Sequence, residues 1–152
     1  MAVNYTHTLT TELTITAGAY GDGDVVGGRL DLSALCGGGG GGTIRQIRLA
    51  DGDNEGAAMY VYLFDGQPTS IADNAAFATS IVIADLKKLI GRISIIAGDY
   101  LTINSEKVAI KDDINLSHGT GQLFAYLVTN GSTPTYTATT DLTLIVQGWT
   151  DS

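Results

Sequence analysis

Along most of the chain, apolar and polar positions alternate with a period of two, in windows rich in Thr, Val, Ile and Tyr. That rhythm suits a pleated, half-buried surface and not a helix. The windows are residues 10–16, 25–32, 43–49, 59–64, 92–96, 100–103, 107–110, 123–128 and 137–147. Short strands in this number, separated by turn signals, predict an all-β fold and an antiparallel β-sandwich. The punctuation agrees: Gly21-Asp22-Gly23-Asp24, Asp51-Gly52-Asp53-Asn54, Gly98-Asp99 and Asn130-Gly131 place residues tolerant of positive φ between apolar runs. The segment 130–134 reads as a hairpin loop, and Gly27-Gly28 inside a strand pattern reads as a bulge or a close backbone approach.

One stretch breaks the rhythm. Between residues 68 and 90, Asp73 and Asp85 each stand where they would cap a short helical turn. A long crossover of this kind between residues 64 and 92 predicts a jelly-roll or Greek-key topology, in which a strand returns to the other sheet. The N-terminal residues 1–11 are Thr-rich and poor in core-forming side chains, which predicts an extended arm. The chain of 152 residues has room for one such domain, residues 1–152.

Two windows carry apolar residues on both faces. In 59–64 one face presents Met59, Val61 and Leu63 and the other Tyr60, Tyr62 and Phe64; in 123–128 the second face presents Phe124, Tyr126 and Val128. A sandwich strand needs one apolar face. The aromatic face is therefore either covered by the 68–90 crossover and loops, or left for another subunit, where Tyr and Phe are enriched.

Composition narrows the function classes. Sixteen acids against eight bases give a net charge of −8, a field that repels nucleic-acid phosphates and anionic lipid heads. No apolar run approaches the roughly 20 residues that span a bilayer, and the first residues lack a basic export-signal start. No nucleic-acid or membrane partner is expected. Cys36 is the only cysteine, so no internal disulfide forms, and it precedes six glycines with no basic neighbour in sequence to activate it. Those glycines, 37–42, lead into a strand pattern and not a helix, so they read as a pliable loop and not a phosphate cradle.

The remaining chemistry is thin. His7 and His118 have no sequence neighbours at metal or catalytic spacing and read as exposed positions, and no G-x-S-x-G or H-E-x-x-H motif occurs. Asp51 to Gly56 begins like a calcium loop, but Tyr62 stands where the closing Glu is required and strands flank it, so it reads as a turn with a solvated acidic face. No cofactor, metal or catalytic residue is assigned, and the chain reads as a non-enzyme. A hydrolase built on a carboxylate pair has only chance proximity of acids behind it.

The residues then carry a resemblance. The order from Ala17-Gly18-Ala19-Tyr20-Gly21-Asp22-Gly23-Asp24 to Gly28, the segment 44–51, Tyr62-Leu63-Phe64-Asp65-Gly66-Gln67-Pro68-Thr69, Ala72 to Phe77, Val108 to Asp113 and 126–149 resemble small structural proteins of tailed bacteriophages. The resemblance covers nearly the whole chain through turn and strand motifs. It implies a capsid decoration, or cement, protein: a structural virion component on the capsid exterior, made in the bacterial host cytoplasm, which bridges major capsid proteins. It also implies self-association as a dimer or trimer. On that reading the contact residues are Tyr60, Tyr62, Phe64, Phe124 and Tyr126, with the glycine loop and the N-terminal arm. The alternative is a receptor- or carbohydrate-binding β-sandwich module of a phage tail or baseplate, using exposed Tyr and Trp149 for sugar stacking.

Overall fold

The β-branched and aromatic windows pair into two antiparallel sheets that pack face to face. The structure, a computed structural model, describes residues 5–37 and 40–150. The larger sheet has the order β1 (Tyr5–Glu12), β10 (Leu142–Thr150), β3 (Gly42–Asp51), β7 (Glu106–Lys111), β6 (Tyr100–Ile103), with β8 (Leu116–His118) pairing the start of β3. The smaller has the order β2 (Val25–Asp31), β9 (Phe124–Thr129), β4 (Met59–Phe64), β5 (Leu89–Ile95). Only β4–β5 and β6–β7 join sequence neighbours. The remaining pairings, including first strand with last, cross between distant parts of the chain in Greek-key fashion.

The inner faces make the core. Met59, Val61 and Leu63 of β4 meet Leu49, Leu144 and Val146 of the larger sheet, each 0% exposed. At Gly27 the register of β2 on β9 jumps, as the glycine pair predicted. Gly27 has φ +87°, and a side chain there would start 2.7 Å from Leu13, so only glycine lets the chain pass.

Several expectations are corrected. Residues 5–12 are not a free arm; they are β1, paired along its whole length with β10 from Tyr5↔Thr150 to Glu12↔Thr143. Residues 1–4 of the predicted arm lie outside the described residues. The apolar signal of the 10–16 window comes from Leu13 and Ile15; both are buried, but they follow the first strand, which ends at Glu12. An edge strand needs few apolar residues, so its Thr-rich sequence hid it. The segment 130–134 is no hairpin loop, since β9 and β10 belong to different sheets. The last strand starts at Leu142 and not at 137, because the Asp141 carboxylate accepts the Thr137 and Ala138 N–H groups and holds a turn there. β8 leaves no mark in the sequence pattern; three residues are too few for a period to register.

The 68–90 crossover contains two helical turns, α1 (Phe77–Ser80) and α2 (Ile83–Leu86). Asp85 sits inside α2 and accepts the Val82 N–H at its start. Asp73 caps no helix.

Candidate functional site

The outer face of the smaller sheet carries the aromatic side chains singled out from sequence. The crossover lies over it. Phe77 of α1 stacks on Tyr62 with ring centres 4.6 Å apart, and Phe64 meets Tyr126 edge-on at 6.0 Å. The Tyr126 hydroxyl donates to the Thr69 carbonyl at 2.5 Å and accepts the Ile71 N–H at 3.0 Å. These rings form a second apolar cluster with Val25, Ile71, Phe77 and Val128. Phe64, Phe124 and Tyr126 are buried by their own chain. As contact residues they are corrected to core: the crossover takes the place that a partner would have filled. Tyr60 and Tyr62 are half-buried at its margin, with the Arg92 guanidinium 4.1 Å above the Tyr60 ring.

Two carboxylates fasten the crossover. Asp73 accepts hydrogen bonds from the Thr16 amide at 2.7 Å, the Thr16 hydroxyl at 2.6 Å, the Tyr20 hydroxyl at 2.7 Å and the Gly27 amide at 2.6 Å. It thus joins the segment after β1 and the β2 bulge to the crossover. Asp85, 2% exposed, accepts the Thr69 amide at 2.8 Å, with Lys88 at 3.9 Å. Burial pushes the Asp85 carboxyl up, but the Thr69 and Val82 hydrogen bonds and the Lys88 ammonium outweigh it and hold the acid below its ordinary range. At Asp99 the Ile96 amide leads, and Lys111 at 3.1 Å adds to it against the effect of burial.

The same use of acids explains much of the charge. Asp22, Asp24, Asp31 and Asp99 accept backbone N–H groups of nearby turns. The calcium-like loop is built the same way. Asp51, expected on a solvated face, is 1% exposed and accepts the Asp53 and Gly56 amides, while Asp53 reaches across to the Thr137 amide and hydroxyl. Its carboxylates are spent on closing loops. Among the described residues no group of three or more His, Cys, Asp and Glu is placed to hold a metal ion.

One pairing escaped the sequence. The Cys36 Sγ lies 3.7 Å from Nδ1 of His118, a residue 82 positions away. His118 is buried and not exposed as expected, since β8 carries it inward against β3. Burial, with the Asp31 carboxylate nearby, pushes the Cys36 thiol up, which favours the unreactive protonated form. His7 is exposed on β1. The described part of the glycine loop folds on itself, with the Gly40 N–H donating to the Gly37 carbonyl at 2.8 Å.

What sequence reasoning missed lies on the opposite side of the sandwich. Cross-strand register puts Leu101 opposite Val108, Val108 opposite Ala50 and Ala50 opposite Thr143, all on the outer face of the larger sheet. Among the described residues nothing covers Leu101 and Ile103 there. Leu101 and Ile103 are 55% and 63% exposed, and at the far end Trp149 is 43% exposed under the Arg45 guanidinium. The alternation within 100–103 was visible, but Tyr100 takes the inward position, its hydroxyl donating to the Ala57 carbonyl. A groove of about 470 Å³ opens between Ala50, Ile103, Val108 and Thr143, with Glu106 and Asp141 on its rim. On the crossover side, Val82, Ile83 and Leu86 are also exposed, Ile83 at 72%.

Among the described residues no helix is long and apolar enough to cross a membrane. Comparison with protein-family models, with curated proteins and with solved structures finds no match for this chain.

Proposed function

We propose that this protein is a non-catalytic structural module of a bacteriophage virion, which decorates the capsid exterior and stabilises it by bridging neighbouring proteins. One observation carries the reading: exposed apolar side chains stand in two separate patches on opposite sides of one sandwich, Leu101 and Ile103 on the larger sheet and Val82, Ile83 and Leu86 on the crossover. Patches on both sides suit a body that sits between two neighbours. The charge of −8, fixed largely in turns, keeps free copies soluble and away from packaged DNA. The crossover margin, with Ile83, Tyr60 and Tyr62, is the side assigned to the major capsid protein.

A decorating protein that binds only the assembled shell stabilises that shell by linkage, by about 2.7 kcal/mol per site when its free concentration is a hundred times Kd. Many sites act together. The test is to mix the purified chain with undecorated heads of its phage, sediment them and heat them. Bound chain in the pellet and DNA release at a higher temperature are expected; heads that pellet without it overturn the reading. A sugar-binding module has weaker support, because Arg45 occupies one face of the Trp149 ring.

A further inference from the structure

The uncovered face of the larger sheet carries two charged groups whose arrangement says what covers it. Arg48 stands between Ile110 and Ile145 in the register of β7, β3 and β10. Among the described residues it has no hydrogen bond or ion pair, and its Nε is shielded from water without an acceptor. In a chain of sixteen acids and eight bases an unpaired arginine on an apolar surface needs an explanation. Glu106, opposite Ile103 on the same face, is exposed and likewise without a partner. It lies four residues along and one strand across from Arg48, which the spacing of β-structure converts to about 14 Å. Between them runs the rung Leu101, Val108, Ala50 and Thr143, which ends at the exposed Glu12 on the edge strand β1, with the groove beside it.

A partner for this face therefore offers a carboxylate and a base about 14 Å apart, flanking an apolar strip. A second copy of the same face has that pattern. With a two-fold axis lying across the strands midway between the two charges, Arg48 of each copy falls over Glu106 of the other, and the Leu101–Val108 rung meets its own counterpart. We infer that this chain forms a two-fold homodimer through the outer face of its larger sheet, held by the Leu101, Ile103 and Val108 surface and by two reciprocal Arg48–Glu106 pairs. The two copies' net charges do not forbid it. Glu12, at the β1 edge of the rung, lies beside its own counterpart and opposes the pairing at that exposed rim; most other acids sit in turns and links beyond the strand ends, and at physiological ionic strength such repulsion is screened within about 8 Å. Pairing this face hides Leu101 and Ile103, the most exposed apolar side chains of the sheet. The inference stands apart from the identity of any other partner, because it concerns the isolated chain.

Sedimentation velocity of the full chain over a micromolar concentration range tests it, with thermal melts to verify that each variant is folded. The wild type is expected to sediment as a dimer, and Leu101→Asp as a folded monomer. Arg48→Glu and Glu106→Arg alone should each weaken the dimer by about tenfold or more through like-charge contact. The double variant Arg48→Glu/Glu106→Arg should recover most of that loss, since exchanging the charges restores both pairs. Ile83→Asp, on the opposite side, should leave the dimer intact. A wild type that stays monomeric, an assembly broken by Ile83→Asp instead of Leu101→Asp, or a double variant weaker than either single one overturns the proposal. None of these results depends on binding to viral heads, so this inference and the capsid reading fail separately.

Discussion

On the outer face of the smaller sheet, Phe64, Phe124 and Tyr126 lie beneath a crossover pinned by Asp73 and Asp85. On the outer face of the larger sheet, Leu101, Ile103 and Trp149 are open to solvent. Both faces belong to antiparallel strands whose inner sides already fill the core. The difference lies in the connections. The long link between β4 and β5 is on hand to fold back over its own sheet, whereas β6 and β7 are joined by Asn104 and Ser105 alone, both at positive φ, with no chain to spare. A sheet face is sealed where the topology supplies a long link. Elsewhere its apolar side chains stay available to another molecule.

The comparison breaks first on stability. Tyr126→Ala removes a buried ring and leaves the Ile71 amide and Thr69 carbonyl without their partner, so a loss of roughly 3–5 kcal/mol is expected. Ile103→Ala on the open face should change stability by about 0.5 kcal/mol or less. Urea denaturation of the two side by side checks this. At protein concentrations where the chain is monomeric, equal losses would mean that the larger sheet's face is covered within the monomer.

A smaller effect sharpens the role of the clasp. Asp73→Ala leaves the Gly27 amide and the Thr16 hydroxyl without their acceptor, and the Thr16 amide with the Tyr20 hydroxyl alone, and should cost about 2–3 kcal/mol. It should also expose the crossover to limited proteolysis before the rest of the chain. Cleavage that begins elsewhere would separate Asp73 from the holding of the crossover.

The smallest expected effect is on pH dependence. Asp85 and Asp99 have folded-state pKa values below those of the unfolded chain, where an aspartate titrates near 3.9. On acidification the unfolded state takes up protons first. Their contribution is therefore complete above the unfolded value and is lost as pH falls through the folded values. Asp85→Asn should lower stability at neutral pH, and its gap from the wild type should narrow as pH drops below about 4. A gap that stays constant would show that the Asp85 charge contributes nothing.

Much of the fold was legible because alternation is a local signal. Residues 59–64 and 100–103 match β4 and β6 to the residue, the Gly27 bulge stands where the glycine pair put it, and the crossover holds two helical turns, though neither is capped by Asp73 or begins after Asp85. What failed was nonlocal. β1 resembled a loose arm because an edge strand draws its order from β10 and not from its own composition. The 130–134 turn resembled a hairpin because sequence cannot say which sheet the next strand joins. Cys36 and His118 met across 82 positions with no spacing to announce them.

For the candidate site, the residues themselves named the aromatic side chains and posed two covers for them, crossover or partner. They did not choose between the covers. Alternation, turn chemistry and charge are properties of neighbours in the chain, and they determined an all-β sandwich with excess apolar surface and carboxylates concentrated in its turns. Which surface remained open was decided only when the β4–β5 link folded over one sheet and left the other bare. That choice rests on contacts between residues far apart in sequence, such as Phe77 on Tyr62 and Asp73 on Gly27.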